Sequence, residues 1–144
     1  MRAARGAGLQ IIGFFMLGIP GSSLASMEAT VDFALSLDID FAKFTVFVPY
    51  PGTAIHQQLL ATHEIAEPEC WRRYTSFPSR QVPPNYLPAG LTAEDVIRCQ
   101  RRAHLSFYLR PAMIARQLLK IRTLGARDLY DGLRTIMAVN LETL

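Results

Sequence analysis

Residues 9–21 read LQIIGFFMLGIPG, and the fold class follows from them. The run from Leu9 to Ile19 is almost continuously apolar, which is typical of a parallel β-strand that is covered on both faces. Pro20 and Gly21 then form a turn, and the two serines after it are suited to cap a helix. The stretch therefore predicts the strand and the turn of a strand–turn–helix unit.

A helix and a second strand are predicted next. Apolar residues recur at spacings of three and four, at Leu24, Met27, Val31 and Leu35. This pattern predicts a helix over residues 24–37 with one apolar face. Residues 41–48 have the β-branched and aromatic content of a strand, which the rigid PYPGT loop at 49–53 ends, and a helix over 54–62 follows. The order strand, helix, strand, helix favours parallel βαβ units with a right-handed crossover.

The rest of the chain is predicted to be a loop and then helices. Residues 67–90 contain five prolines and four aromatic side chains, so we expect a long loop that packs on the scaffold. Thr92 and Asp95 form a capping-box pattern ahead of a helix that should run to residue 109. Beyond it, two more helices are predicted over residues 112–123 and 127–141.

The pattern as a whole predicts an α/β fold in three regions. These are a βαβα region at 1–66, a proline- and aromatic-rich loop at 67–90, and a helical C-terminal extension at 91–144. Two parallel strands make only a marginally stable sheet, and they leave open edges that other strands can pair with. The first region is therefore expected to be the end of a larger α/β domain.

Charge is distributed unevenly along the chain, whose formal net charge is +3. Residues 1–70 carry three basic and seven acidic side chains, whereas residues 71–144 carry twelve basic and five acidic ones. A basic region is compatible with a solvated arginine-rich helix face, with an anionic membrane surface or with nucleic acid. The segment Trp71-Arg72-Arg73-Tyr74 has the composition of a nucleic-acid contact, but no recognisable nucleic-acid-binding fold surrounds it.

Metal-ligating residues are sparse. The two cysteines, Cys70 and Cys99, lack a metal-type spacing, and a zinc or iron–sulfur site would need more thiolates than the chain has. The three histidines, His56, His63 and His104, do not approach a metal spacing either. We therefore predict no metal site. His56 follows the PYPGT loop and is expected at the mouth of the strand pair.

The N-terminal residues share some features with a secretory signal peptide: two arginines, an apolar run and small residues before Met27. The apolar run is strand-like, and a Pro-Gly turn and an amphipathic helix follow it at once, so we favour the strand interpretation. The run is also shorter than the roughly 20 apolar residues that span a bilayer. The corresponding prediction is a cytoplasmic location, with association with a membrane surface as the alternative.

Three segments together resemble radical S-adenosylmethionine (radical SAM) enzymes, particularly those that carry a cobalamin-binding domain. The segments are Gly18-Ile19-Pro20-Gly21, Pro49-Tyr50-Pro51-Gly52-Thr53 and Phe107-Tyr108-Leu109-Arg110-Pro111. In that family, two neighbouring strands end in Gly-x-Pro-Gly-Glu-Thr and Pro-x-Pro-Gly-Thr. The resemblance covers roughly residues 9–115. It implies the C-terminal fragment of a partial (β/α) TIM-like barrel, followed by an α-helical tail.

The resemblance also implies which residues contact S-adenosylmethionine. In a parallel barrel, ligands lie at the carboxyl ends of the strands, where Pro-Gly turns expose the backbone. Met16 and Gly18 at the end of the first strand would lie against the adenine. Phe47, Val48 and Pro49 at the end of the second strand would line the same pocket. Core packing is the ordinary alternative for such side chains. No catalytic residue is predicted in this chain.

The sequence departs from the family in two respects. Ser22-Ser23 replaces the Glu-Thr of the first motif, which removes a carboxylate from a helix N-terminus. The Cys-x-x-x-Cys-x-x-Cys loop that holds the family's [4Fe–4S] cluster has no counterpart in the chain. S-adenosylmethionine, the cluster and cobalamin are therefore expected as cofactors of an intact enzyme, and the chain alone is predicted to be inactive.

Three hypotheses remain. The one we favour is that the chain is a C-terminal segment separated from its N-terminal radical SAM and cobalamin-binding portion, through truncation or a misassigned start. The second is the partner subunit of a split enzyme, and the third is a stand-alone basic module for nucleic acid or an anionic membrane. For an intact enzyme, the resemblance implies methylation or oxidative cyclisation of a lipid or a tetrapyrrole-like substrate.

Overall fold

The structure, a computed structural model, describes residues 2–66, 71–111 and 113–115. Its elements in chain order are α1 (Arg2–Gly6), β1 (Ile12–Leu17), α2 (Leu24–Ser36), β2 (Phe41–Val46), α3 (Ala54–Ala61), a 3₁₀ turn (Trp71–Arg73) and α4 (Ala93–Tyr108). The predicted order of strand, helix, strand, helix is confirmed, and α4 follows where the capping-box pattern placed it. The chain is therefore α/β, as predicted.

β1 and β2 pair in parallel, and within the described residues the sheet has these two strands. Ile12 lies opposite Phe41 and Leu17 lies opposite Val46. At the start of the pair, the buried carboxylate of Asp40 accepts a hydrogen bond from the Ile11 amide at 3.0 Å. This bond holds the amino ends of the two strands together.

One face of the sheet forms the core. Phe44 of β2 is fully buried, and its ring stacks on Phe15 of β1 with 5.3 Å between the centroids. The imidazole of His104, on α4, meets the Phe44 ring edge-on at the same distance. Phe33 of α2 contacts Phe15 edge-on, with 6.5 Å between the ring centroids. Side chains from both strands and from two helices thus meet around Phe44.

The opposite face of β1 is exposed. The alternate residues Ile12, Phe14 and Met16 have exposed fractions of 54%, 72% and 54%. The apolar run predicted a strand covered on both faces, and this is wrong for the described residues, which cover one face only. The physical reason is that α2 and α4 pack on the face of the sheet that carries Phe15. No described element packs on the face that carries Phe14.

A buried amide joins α4 to the edge of β2. Gln100 Nε2 donates hydrogen bonds to the carbonyl oxygens of Phe44 and Ser76, at 2.8 and 2.9 Å. The Ser76 carbonyl also accepts a bond from the Val46 amide at 3.0 Å. The segment around Ser76 therefore lies along the edge of β2 that faces away from β1, because both groups reach the same carbonyl.

Helix α2 begins at a serine cap, as predicted. Ser23 and Ser26 exchange backbone-to-side-chain hydrogen bonds of 3.2 and 3.0 Å, which satisfy two amides of the first turn. The buried face of α2 consists of Met27, Val31 and Ala34. The predicted apolar stripe is correct at its centre, but Leu24, the first helical residue, is exposed.

The chain divides after Ser106 into two units. In the second unit, Arg110 Nε donates to the Phe107 carbonyl at 3.1 Å, and its guanidinium lies 4.2 Å from the centre of the Phe107 ring. The predicted helices over 112–123 and 127–141 lie outside the described residues, apart from 113–115, which are helical.

Helix α4 starts with the predicted capping box. Thr92 Oγ1 accepts from the Asp95 amide at 3.2 Å, and Asp95 Oδ2 accepts from the Thr92 amide at 3.1 Å and from the Thr92 hydroxyl at 2.6 Å. The bonds from Thr92, first the hydroxyl and then the amide, lower the pKa of Asp95 because they favour the carboxylate.

We expect Thr92→Val to lower the free energy of unfolding by about 1 kcal/mol at pH 7, because the helix loses its cap. The lowered pKa of Asp95 adds stability only above the carboxyl's unfolded pKa, and that stability is lost as the pH falls through the folded value. The difference between wild type and variant should therefore narrow between pH 7 and pH 3. Urea unfolding followed by circular dichroism measures it.

The matched control for this cap is Thr30→Val. Thr30 Oγ1 donates to the Ser26 carbonyl inside α2 at 3.0 Å, a bond that competes with the helix and adds little to stability. The control should change the free energy of unfolding by less than about 0.5 kcal/mol at either pH. An equal loss for Thr92→Val at both pH values would contradict the contribution assigned to Asp95.

Candidate functional site

The carboxyl ends of β1 and β2 lie at the same edge of the sheet, and both sequence motifs are there. Gly18, which follows β1, is buried and has a φ of +72°. A Cβ on this residue would lie 3.8 Å from Val96 and 4.0 Å from both Pro88 and Val46. Gly18 is needed mainly for its backbone conformation, because the surrounding space admits a methyl group but a side chain at positive φ is strained.

The residues predicted to contact S-adenosylmethionine lie at this edge. The Phe47 amide donates to the Leu17 carbonyl at 2.8 Å, which places Phe47 next to the residue that follows Met16. The Phe47 ring meets Tyr86 edge-on at 5.6 Å. Val48 and Pro49 are buried. Of the five predicted residues, Met16 has the most exposed side chain. Their role in cofactor binding stays a prediction.

Three aromatic rings continue from the end of β2, and we call them the aromatic ladder: Tyr50, Tyr74 and Trp71. Tyr50 and Tyr74 are stacked, with 6.1 Å between ring centroids and 22° between ring planes. Trp71 contacts Tyr74 with 5.4 Å between centroids. The far end of the ladder is open, since Trp71 is 76% exposed.

A buried histidine supports the middle of the ladder. His56 is 3% exposed, and its Nε2 lies 3.4 Å from the hydroxyl oxygen of Tyr74. Thr53 Oγ1 donates to the Tyr50 carbonyl at 2.7 Å and accepts from the His56 amide at 3.3 Å. The PYPGT motif thereby sets the positions of both Tyr50 and His56. His56 was expected at the mouth of the strand pair, and it lies there beneath Tyr74 rather than open to solvent.

Next to the ladder is an open cleft of about 380 Å³, which we call the arginine cleft. It is lined by Arg72, Arg73, Gln81, Val82 and Pro83. Trp71, Arg72 and Arg73 form the 3₁₀ turn, so the open end of the ladder and the two arginines are consecutive residues. No ion pair joins either arginine to a described acidic residue.

Most other arginines of this unit have carboxylate partners. Arg80 contacts Glu94 at 3.2 Å, Arg102 contacts Glu28 at 3.0 Å, and Arg5 contacts Asp38 at 2.8 Å; Arg98 pairs with Asp95. The basic character predicted for the second half is therefore largely neutralised along α4. Arg72 and Arg73, in contrast, are two neighbouring arginines that line the same cleft and have no ion pair with a described carboxylate.

The sequence analysis located this cluster only in part. It predicted that the four loop aromatics pack on the scaffold, which is correct for Tyr86 and Tyr74 and wrong for Trp71 and Phe77, which are 76% and 50% exposed. The signal that was available is the segment Trp71-Arg72-Arg73-Tyr74, which was considered only as a nucleic-acid contact. The role of Tyr50 was not visible, because its partner Tyr74 is distant in the sequence.

The described residues contain no group of three or more histidine, cysteine or acidic side chains that could hold a metal ion. Burial raises the pKa of the Cys99 thiol, so this cysteine is poorly suited to act as a thiolate ligand. Cys70 lies outside the described residues. Within the described part of the chain, no helix has the length and apolar character to cross a bilayer.

Comparison with known proteins relates the chain to methyltransferases. No protein-family model matches it. It is 33% identical, over 120 residues, to an uncharacterized methyltransferase of Pyrococcus horikoshii; the match spans 83% of this chain and 25% of that protein. It is 26% identical, over 96 residues, to the bacteriochlorophyllide d C-12(1)-methyltransferase of Chlorobaculum tepidum, spanning 67% of this chain and 20% of that protein.

The extent of these matches is informative. They span most of this chain but a quarter or less of the length of each relative. The strand pair, both motifs and the aromatic ladder lie on the larger of the two compact units. By sequence, the chain is thus similar to a segment of longer, methyltransferase-like proteins.

Proposed function

We propose that this chain is the C-terminal segment of a radical SAM methyltransferase and forms one wall of its S-adenosylmethionine and substrate pocket. The observation on which the proposal mainly rests is the one-sided burial of β1, whose Ile12, Phe14 and Met16 side chains are exposed. A strand with such a face needs cover, because exposed apolar area of this kind is costly in water.

The proposed cover is the N-terminal portion of the enzyme. In a partial (β/α) barrel, helices pack on the outer face of the strands and the inner face lines a lumen with further strands beside it. The Phe15 and Phe44 side of this sheet, which contacts α2 and α4, corresponds to the outer face. The Met16 side corresponds to the inner face. Similarity to only a quarter or less of each relative agrees with a missing portion.

The residues at the carboxyl edge fit S-adenosylmethionine. Met16 offers an exposed thioether, a polarisable group that packs well against the edge of an aromatic ring such as adenine. Phe47, Val48 and Pro49 would form the adjoining wall, and Gly18 would allow the backbone to turn beside it. S-adenosylmethionine would supply the methyl group, and this chain's part is to bind and orient it.

The chain's own residues do not fit an iron–sulfur cluster. A [4Fe–4S] cluster is held by cysteine thiolates, and the chain has two cysteines, one of which is buried with a raised pKa. We therefore place the cluster and cobalamin, as parts of the proposal, on the N-terminal portion. For the substrate we propose a tetrapyrrole-like or lipid molecule; the name of the Chlorobaculum relative favours the former.

A chimera tests the proposal. This chain would replace the matching C-terminal segment of the Pyrococcus methyltransferase, and binding of radiolabelled S-adenosylmethionine would be measured by equilibrium dialysis under anaerobic conditions. We expect the chimera to bind S-adenosylmethionine and the N-terminal portion alone to bind it at least about 10-fold more weakly, because one wall of the pocket is then absent.

The matched variants in the chimera are Met16→Ala and Ile12→Ala. Both residues are 54% exposed on the same face of β1, but only Met16 lies at the carboxyl end. We expect Met16→Ala to weaken binding of S-adenosylmethionine by about 5- to 10-fold, from the loss of about 1 to 1.4 kcal/mol of apolar contact. Ile12→Ala should leave affinity unchanged. Equal affinities for the two variants would count against the proposed adenine contact.

A further inference from the structure

We propose that the aromatic ladder and the arginine cleft together bind a planar aromatic molecule that bears a carboxylate. As a statement about the substrate of the proposed methyltransferase segment, the inference rests on the proposed function. The binding itself is argued from six residues of this chain: Tyr50, Tyr74, Trp71, Arg72, Arg73 and Gln81.

The ladder provides a stacking surface for a flat ring. Tyr50 and Tyr74 already stack on each other, and Trp71 extends the row from the Tyr74 side. Trp71 is 76% exposed, so a large apolar ring face is in contact with water. Tryptophan has the largest side chain, and such rings are usually buried in a core or an interface. A planar aromatic ligand would remove that face from water and add an offset-stacked pair.

The ladder is also held in place before any ligand arrives. Tyr74 contacts the buried His56 ring through its hydroxyl, at 3.4 Å from Nε2. Thr53 ties the backbone of Tyr50 to the start of α3 with a bond of 2.7 Å. A stacking surface that is already ordered costs little conformational entropy on binding, so even a modest contact area contributes to affinity.

The arginine cleft provides the charge. Arg72 and Arg73 line a concavity of about 380 Å³ together with Gln81, Val82 and Pro83. Guanidinium groups form planar, bidentate hydrogen bonds with carboxylates, and these bonds are about twice as strong as neutral ones. The volume lies within the range of small-molecule sites, which hold ligands of a few rings.

The two parts are contiguous, which determines the ligand class. Trp71 precedes Arg72 and Arg73 directly on the 3₁₀ turn. Consecutive Cα atoms are about 3.8 Å apart, so a molecule that stacks on the indole needs an arm to carry its charge to the guanidinium groups of the next two residues. The ligand that satisfies both is a flat conjugated ring system with a carboxylate on a short arm.

Nucleic acid fits less well. Binding to a strand uses a long basic groove that neutralises many phosphates. Along α4, Arg98 and Arg102 are paired with Asp95 and Glu28, and Arg80 is paired with Glu94. Arg101 is an isolated exposed arginine on α4, whereas Arg72 and Arg73 line one cleft together, an arrangement that suits one or two carboxylates rather than a long phosphate backbone.

The test uses the full chain and the probe 1-pyrenebutyrate, a four-ring planar molecule with one carboxylate arm. Its partner 1-pyrenebutanol has the same ring and arm without the charge. Trp71 is the one tryptophan of the chain, so quenching of its fluorescence reports on the ladder directly. We expect saturable quenching by pyrenebutyrate at micromolar concentration and at least 10-fold weaker binding of pyrenebutanol.

Substitutions test whether the arginines of the cleft bind the carboxylate of the probe. The double substitution Arg72→Gln, Arg73→Gln should weaken pyrenebutyrate binding at least 10-fold and leave pyrenebutanol binding unchanged. Arg101→Gln, an exposed arginine on α4 outside the cleft, is the matched control and should change neither. Phe14→Ser should also change neither, which separates the cleft from the open face of β1.

Several results would overturn the inference. One is equal binding of the two probes, and another is equal loss with the Arg101 control. A third is tighter binding of single-stranded oligothymidylate than of pyrenebutyrate, with a steep decrease in affinity as salt is added; this outcome would assign the surface to nucleic acid. The proposed binding of S-adenosylmethionine by the chimera does not involve Arg72 or Arg73. A negative result with pyrenebutyrate would therefore overturn this inference without bearing on the proposed S-adenosylmethionine pocket.

Discussion

Phe44→Ala is expected to lower the free energy of unfolding by about 3–5 kcal/mol, the largest loss that we expect from a single truncation in this chain. Phe44 has no exposed surface, and its ring is enclosed by Phe15 on one side and His104 on another. Alanine would leave a cavity between the sheet and α4. Total stabilities of small domains are of similar size, so the variant should be largely unfolded at 37 °C.

The matched control is Phe33→Ala. Like Phe44, Phe33 contacts the Phe15 ring, and the substitution removes the same phenyl group. Phe33 is 58% exposed and meets Phe15 only edge-on, so its loss leaves no enclosed cavity. We expect a decrease below about 1 kcal/mol. Urea unfolding followed by circular dichroism compares the two variants. Similar losses for both would contradict the assignment of the core to the Phe44 side of the sheet.

Gln100→Glu is expected to cause the second largest loss, about 3–4 kcal/mol at pH 7. The Gln100 amide donates to two carbonyl oxygens, those of Phe44 and Ser76. A carboxylate of nearly the same shape cannot donate, and its negative charge would face two acceptors inside the protein. The substitution therefore removes both bonds and adds a repulsion without changing the packing volume.

The loss of unfolding free energy in Gln100→Glu should increase as the pH rises. A salt-bridged carboxylate behaves in the opposite way, because it adds stability as the pH rises. Burial and the two facing carbonyls would raise the pKa of the introduced carboxyl in the folded state above its unfolded value. The penalty is then small below the unfolded pKa of about 4.3 and grows as the pH rises towards the folded pKa, by about 1.4 kcal/mol per pH unit. At pH 4 the protonated acid can still donate to one carbonyl.

Gln57→Glu provides the control for this variant, because Gln57 is an exposed residue of α3. It should change the free energy of unfolding by less than about 0.5 kcal/mol at either pH. Thermal or urea unfolding at pH 4 and pH 7 distinguishes the two substitutions. A Gln100→Glu loss that does not increase with pH would show that the side chain is not enclosed.

The Gln100 contact also links the core to the candidate site. Ser76, whose carbonyl it binds, is two residues from Tyr74, the middle ring of the aromatic ladder. A variant that releases this segment from β2 should therefore disturb the ladder as well as the stability. Quenching of Trp71 by pyrenebutyrate in Gln100→Glu should weaken at pH 7 and recover partly at pH 4.

Local sequence patterns were sufficient for most of the scaffold. The continuous apolar run before Pro20 predicted β1, and the spacing of Met27 and Val31 predicted the buried face of α2. The serines after Gly21 and the capping-box pattern at Thr92 marked the helix starts to within a residue. These predictions succeed because strand content, helical period and capping depend on residues that are at most a few positions apart.

Local patterns were insufficient where burial depends on distant segments. The run at β1 predicted cover on both faces, whereas Phe14 is 72% exposed. An apolar composition indicates that a strand face is stable only when another element covers it. The composition does not indicate which element provides the cover. For the same reason Trp71 was expected to pack, and its exposed ring emerged only from the arrangement of the loop.

By itself, the sequence determined the α/β class, the order and approximate bounds of β1, α2, β2, α3 and α4, and the two turn motifs at the strand ends. The tertiary structure alone decided which face of β1 is open, that Gln100 joins α4 to both β2 and the loop, and that Tyr50, Tyr74 and Trp71 form one ladder beside two arginines. The physical reason is separation along the chain: Gln100 and Phe44 are 56 residues apart, and no local pattern encodes a contact of that range.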